Sequence, residues 1–372
     1  MSLPKVACPV CGAACRALLH KQVDGISITS DSSYTTLLSP WLARCEPCSL
    51  FLTAQQSNLH AFYAEAYSLL MSDFFADQVV LAQPPLLYRA DYQARIALAA
   101  ARAINAWRLT EVGAGKGLTA FRVRQALPAL ELSLHDPGAA RYAGLWARHV
   151  APQAAVSRLD EIKPGSFDLG VTFFTLEHTC TPYRDLQTIV ASLGRASVFV
   201  GVVPDLAFNP GDLLVGDHCS HFTAASLQRM LGRLAREQAP LSVRVMRNPL
   251  LRGLFYVLGR LPGQVEAACS ALAGIEGFTP DLAQGALDDD GLLQVALRHW
   301  DARPSGTALD GPGTDVLWGA GFYSKLIMLR HPERVFERCV DMNPQMAGTT
   351  LSGPTGRKVP VGAPTEWLAQ VV

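Results

Sequence analysis

No apolar run in the 372 residues reaches the roughly 18 needed to cross a bilayer as a helix, so no membrane span is expected. The first residues, MSLPKVACPVCG, have no apolar core of the signal-peptide kind. Net charge is missing too. The 32 Lys and Arg balance 32 Asp and Glu, so no global field draws the molecule to nucleic acid or anionic lipid. There is no repeat of solenoid period. These absences lead to the expectation of a cytoplasmic protein with neither a nucleic-acid nor a membrane partner. The nine cysteines are an odd number, with four in two close pairs near the N-terminus. In a reducing compartment such pairs suggest metal rather than disulfides.

What is present reads as an α/β protein of two or three domains, each long enough for its own core. Residues 1–55 are cysteine-punctuated and strand-like. Residues 56–105 read as helical. Short apolar runs then alternate with helical stretches: LTEVGAG, LELSLHDPG, FDLGVTFFTLEH and ASVFVGVVPD are each strand running into turn, which argues for a parallel sheet. Residues 241–310 are expected to be a helical connection, with acidic residues around Asp288–Asp290 in a solvated loop or helix start. A second strand, Gly turn and helix begins in TDVLWGAGFYSKLIMLR, after the linker-like PSGTALDGPGTD. The expected units are therefore 1–55, 56–240, 241–310 and 311–372.

Cys8-Pro-Val-Cys11 and Cys45-Glu-Pro-Cys48 each place two thiolates within reach of one ion, and four complete a tetrahedral Zn²⁺ site. The loop between the pairs, about 33 residues, is longer than the commonest ribbon spacing, but a small sheet can bring two knuckles together. Four sulfurs leave no open position, so the zinc is expected to be structural. Cys15 lies close but off the pattern.

The central motif is Thr110-Glu111-Val112-Gly113-Ala114-Gly115-Lys116-Gly117, between an apolar strand and the helix LTAFRVRQAL. Glycines there let the backbone turn tightly and approach a ligand, and the helix start offers N–H groups to an anion. Asp136 ends the next strand, where an acid can accept from ribose hydroxyls. Leu159-Asp160 lies near the end of a third strand, and Phe167-Asp168 opens a fourth that runs into Leu176-Glu177-His178. Together these marks resemble the class I methyltransferases that use S-adenosylmethionine (SAM). The resemblance implies a Rossmann-like domain at 56–240 in which Glu111, Gly113, Gly115 and Gly117 belong to the cofactor turn, the glycines surrounding the methionine part of SAM. Asp136 would hold the ribose, Leu159-Asp160 would meet the adenine, and Phe174 and Thr175 would line the path to the methyl group.

Beyond the fifth strand come Asp217-His218 and His221 in GDHCSHFT. A carboxylate beside an imidazole can orient it as a base, and His178 is a second candidate. Trp318-Gly319-Ala320-Gly321 and Asp341-Met342-Asn343-Pro344 mark the C-terminal unit. This layout resembles the zinc-binding sugar C-methyltransferases over nearly the whole chain. That family methylates a carbon beside the ketone of a nucleotide-linked sugar, with a tyrosine-x-glutamate-histidine segment and then a tyrosine-phenylalanine pair. Carried over, the histidine is His218 and the phenylalanine Phe222. Asp217 stands at the glutamate, Val215 at the first tyrosine and His221 at the second. Tyr67-Ser68 matches the family's active-site tyrosine-serine segment. The resemblance implies SAM and Zn²⁺ as cofactors and a C-terminal Rossmann-like domain that takes the nucleotide end of the acceptor. In that domain Tyr323 and Lys325 are candidates to contact a diphosphate, with a solvated lysine as the alternative for Lys325. Two alternatives differ in class: a non-catalytic SAM-binding scaffold, and a nicotinamide enzyme using the Gly319 turn, with Asp341 as its ribose acid.

Overall fold

The apolar runs that alternate with helices after residue 106 assemble into one seven-stranded sheet. In the computed structural model of the chain, residues 6–20, 22, 24–36, 38, 41–54, 59, 62–63, 67, 73–81, 83, 85–282, 289–301 and 315–364 are described. An N-terminal sheet is built from β1 (Val6–Ala7), β2 (Ala14–His20), β3 (Trp41–Cys45) and β4 (Leu50–Ala54), all antiparallel. The central sheet contains β5 (Arg108–Val112), β6 (Glu131–His135), β7 (Ala154–Val156), β8 (Leu169–Phe173), β9 (Val198–Pro204), β10 (Ser242–Asn248) and β11 (Gly253–Gly259). Its spatial order is β7-β6-β5-β8-β9-β11-β10. The first five strands are parallel, and β11 runs antiparallel to both its neighbours.

Strands β8, β9 and β11 are buried along their whole length. Such two-sided burial is why they read as continuous apolar runs rather than alternating ones. The helices α1 (Arg89–Ala103), α2 (Leu118–Ala126), α3 (Ala139–Leu145), α4 (Pro182–Ser192), α5 (Ala224–Glu237) and α6 (Pro262–Ala273) accompany the sheet. Helix α5 shows the local logic. Thr223 caps it by accepting from the Ser226 N–H, and Leu227, Met230, Leu231 and Leu234 form its buried stripe.

Residues 242–259 correct the expected helical connection at 241–310. VRVMRN alternates and GLFYVLG is apolar throughout, which suits an outer and an inner strand of the sheet. Helix α6 then packs on β11, and only the described α7 (Asp289–Asp301), which Asp289 and Asp290 open, fits the expected helical character further on. The 56–105 stretch is also mixed: short strands at Val79–Leu81 and Leu87–Tyr88 pair before α1 begins.

The cysteine-bearing sheet is not a separate bead. Its last strand is Ser220–His221, which pairs with β4. Cys8, Val10, Cys45 and Cys48 share a core with Leu186, Phe222, Leu227 and Leu231 of the central unit. At the C-terminus, β12 (Asp315–Trp318), β13 (Phe336–Val340), β14 (Thr350–Ser352) and β15 (Lys358–Gly362) form a four-stranded sheet with α8 (Phe322–Arg330). Strands β12, β13 and β15 are parallel, and β14 is antiparallel. It has its own small core around Leu317, Phe336 and Val359.

Candidate active site

Strand order reverses between β5 and β8, and in an open α/β sheet a crevice opens at that point beyond the strand ends. A cleft of about 1160 Å³ lies there. It is larger than the 300–1,000 Å³ usual for one small ligand. Its lining includes Glu111, Gly113, Gly115, Asp136, Leu159, Asp160, Phe174, Thr175, His178, His218 and Tyr67. Most of the expected ligand and catalytic positions outside the cysteines are thus brought to one cavity; Gly117, Asp217, His221, Phe222 and Lys325 do not line it, and Ser68 lies outside the described residues.

The glycine turn is held by its neighbours. Gly113, Gly115 and Gly117 have φ of +73°, +51° and +84°. A Cβ on Gly113 would lie 2.1 Å from Thr175 Oγ1, whereas one on Gly115 would meet nothing within 4 Å. The Gly115 N–H donates to Asp136 Oδ2 at 2.8 Å, and the Gly138 N–H donates to Oδ1 at 2.7 Å. Asp136 is thereby fixed at the bend. Burial raises its pKa and these two amides oppose the rise. Gly117 supports the bend from behind: the Trp146 indole packs against it and donates to Gly115 O at 2.9 Å. Phe174 sits at φ +56°, a conformation that costs a non-glycine residue energy and marks functional segments. The Arg89 guanidinium lies 4.2 Å from its ring centroid. Asp160 is at the rim, exposed, in an ion pair with Arg158.

Glu111 is 4% exposed, and its Oε2 has no hydrogen-bond partner. Burial pushes its carboxyl up to about 8. Glu177, 1% exposed and also with an unpartnered Oε2, is raised by burial to about 7. Glu177 lies 3.9 Å from His178 Nε2, whereas Glu111, facing the same cleft, suits a ligand that brings positive charge.

The histidines are oriented by carboxylates, but not in the pairing that sequence adjacency suggests. Asp217 does not hold His218. The two residues sit in the turn before Ser220–His221, and Asp217 faces His178 Nδ1, 3.4 Å away. It also accepts from Tyr63 Oη at 2.7 Å and from the Ser30 N–H and Oγ, both at 2.7 Å. His218 instead places Nδ1 2.7 Å from Asp212 Oδ1, and His221 places its Nδ1 2.7 Å from Asp212 Oδ2. Both carboxylates are buried, which would raise their pKa. The imidazoles outweigh burial and hold each well below the usual carboxylate range. An ionised carboxylate only accepts, so Nδ1 of His218 carries the proton and Nε2 is the basic nitrogen. His221 is wholly buried, with Nε2 on Thr53 Oγ1 at 3.0 Å, and does not line the cleft. Tyr67 contacts the Tyr63 and His178 rings edge-on. Asp212 and Tyr63 were not among the expected residues. Asp212 lies in the turn signal Asn-Pro-Gly-Asp, and no periodicity ties it to a histidine six residues on.

At the N-terminus the sulfurs of Cys8, Cys11, Cys45 and Cys48 all lie within 4.8 Å of one another, with Cys11 and Cys45 at 3.5 Å. A tetrahedron of sulfurs about 2.3 Å from zinc has edges near 3.8 Å, so the four residues present fit the ion. In the C-terminal unit, Lys325 is not a solvated side chain. It is buried over the Tyr34 ring at 4.7 Å and bonds to Ser352 O. Tyr323 does line the cleft, and its hydroxyl donates to Asn209 Oδ1 at 3.1 Å. Asp341 accepts from the Ala320 N–H at 2.5 Å and so holds the second glycine turn.

No family model matches the chain, and no curated protein does. Partial likenesses exist among solved structures. A plantazolicin methyltransferase bound to SAH is 10% identical, over 46% of this chain and 83% of that one, with a TM-score of 0.37. A mitomycin 7-O-methyltransferase is 19% identical, over 46% and 54%, at 0.37. The N,N-8-amino-8-demethyl-D-riboflavin dimethyltransferase of Streptomyces davawensis is 18% identical, over 46% and 55%, at 0.38. This chain spans little more than half the length of the last two.

Proposed function

We propose that the protein is a SAM-dependent methyltransferase whose acceptor is a nucleotide-linked keto-sugar, methylated at the carbon beside the carbonyl. The observation that carries the reading is the cleft at the strand reversal. On one wall it has a glycine bend tied to Asp136, and on the other two carboxylate-oriented imidazoles. SAM would lie with its ribose on Asp136, its adenine towards Leu159 and Asp160, and its ammonium facing the buried Glu111. The sulfonium methyl would then point past Phe174 and Thr175.

His218, with Nδ1 anchored on Asp212, removes the acidic proton beside the ketone through Nε2. His178, anchored through Nδ1 on Asp217 and Tyr63, faces the same space and, when both its ring nitrogens carry protons, donates from Nε2 to the enolate oxygen. SAM, when bound, would supply the methyl group to the carbon beside the ketone, and much of the rate would come from alignment of the two reactants. Asn209 and Tyr323 line the same cleft on the side of the C-terminal unit, which supports placing the nucleotide end there. Zinc on Cys8, Cys11, Cys45 and Cys48 would be structural, because four thiolates leave no position for a substrate.

Calorimetric titration with S-adenosylhomocysteine (SAH) tests the cofactor, and transfer of labelled methyl from SAM to a panel of nucleotide-sugars tests the acceptor. His218→Asn should lower turnover at least 100-fold and change SAH affinity less than about threefold. No SAH binding to the full chain sinks the proposal.

A further inference from the structure

Cys180 and Cys219 bring their sulfurs to 3.0 Å from positions 39 residues apart. Cys180 comes just after the 3-10 turn Leu176–His178, and Cys219 follows His218 directly. The sulfurs are in contact, and a bond at about 2.05 Å needs them only about 1 Å closer. The two thiols are unequal. Cys219 is 3% exposed, its N–H donating to Glu177 O at 2.6 Å and its O accepting from the Thr53 N–H at 2.9 Å. Cys180 is exposed and lines the cleft. An exposed thiol that meets the oxidant, backed by a buried one that reaches only its partner, is the geometry of an attacking and resolving pair. The hydrogen bond from Cys219 also draws the Cys180 pKa below its ordinary value, which raises the thiolate fraction.

We propose that Cys180 and Cys219 form a redox-modification site that closes into a disulfide beside the cleft. The oxidant is a low-molecular-weight disulfide such as glutathione disulfide. The Cys180 thiolate attacks one of its sulfurs, breaking the S–S bond, and one glutathione thiolate leaves. The Cys219 thiolate then attacks Cys180 sulfur and expels the second. Two protein thiols are oxidised, one small disulfide is reduced to two thiols, and the protons lost by the cysteines end on the glutathiones.

The link joins the segments carrying His178 and His218, whose ring centroids are 4.5 Å apart. A displacement of about 1 Å in a catalytic constellation costs on the order of 100-fold in rate. On the proposed function, the oxidised protein turns over at least 10-fold more slowly. It keeps its SAH affinity within about threefold, because the glycine bend is untouched.

The test uses the full chain with one equivalent of Zn²⁺, equilibrated with glutathione disulfide and mapped by non-reducing peptide mass spectrometry. The expected product is a Cys180–Cys219 linked peptide, formed before any cysteine of the N-terminal cluster reacts, reversed by dithiothreitol and absent from Cys180→Ser and Cys219→Ser. Glutathione left on Cys180 as a stable adduct, or no reaction at either position, overturns the proposal. SAH titration of the same samples keeps the two readings apart. A link without SAH binding sinks the methyltransferase and leaves the thiol site, and SAH binding without a link does the reverse.

Discussion

Burial pushes the Glu111 carboxyl up to about 8, against a backbone hydrogen bond from Ala120, and its Oε2 has no partner. A carboxyl whose folded pKa is raised contributes its full stability below the unfolded pKa of about 4.3 and loses it as pH rises through the folded value. For Glu111 that window runs up to about 8, and for Glu177 up to about 7. Raising the pH from about 6 to about 9 should therefore lower the thermal midpoint, and Glu111→Gln should flatten the decline. An equally steep decline in the variant, followed by scanning calorimetry, would count against a buried neutral acid. Asp212 is the opposite case, with its folded pKa depressed. Its contribution is complete above the unfolded value near 3.9 and is lost only as pH falls through the lower folded one. Its part in the reaction is positional. In Asp212→Asn the amide can accept from one imidazole but must donate to the other, which forces a tautomer change on His218 or His221. Turnover should fall by about 100-fold or more, with the acid limb of the pH–rate profile moved to lower pH because the imidazolium has lost its counter-charge. An unshifted limb would make Asp212 merely structural.

At the scale of elements, the bend after β5 separates two demands that glycine meets. Gly113 has both a positive φ and a neighbour, Thr175 Oγ1, 2.1 Å from where a Cβ would sit, while Gly115 has the positive φ alone. Gly115→Ala should cost roughly 1–2 kcal/mol, the left-handed penalty. Gly113→Ala should cost more, since the β8 tip must also shift. Urea unfolding of both variants checks the order, and equal costs would show that Thr175 yields easily. The bend itself was legible in the sequence because glycines between an apolar strand and a helix have few other uses, and Asp136 because it sits at a strand tip. The pairing of His218 with Asp212 was not. It depends on a 3-10 turn at Pro210–Leu214 that brings a carboxylate under two histidines, and no repeat marks such a turn. VRVMRN of β10 alternates and carries a strand signal, and β11 is hidden for another reason. LFYVLG is apolar on both faces, so periodicity cannot separate a buried strand from a buried helix segment.

At the scale of the molecule, the N-terminal cysteines read as a module of their own, yet the chain packs them into the central core. Strand β4 pairs with Ser220–His221, two residues after His218, and Thr53 of β4 bonds to His221. Leu50 and Leu52 share a cluster with Phe222 and Leu227. A metal on the four sulfurs would thus stabilise the floor under the histidines as well as the N-terminal turns, because binding a site that exists only when folded is folding free energy. Stripping it with a chelator should lower one cooperative melting transition of the whole chain rather than remove a small early one. Cys48→Ser should do the same without chelator, and both should reduce turnover more than SAH affinity, since Thr53 of β4 bonds directly to His221. Two separated transitions in calorimetry, with the larger unmoved by the chelator, would mean that the cysteine sheet and the cleft fold independently despite their shared core.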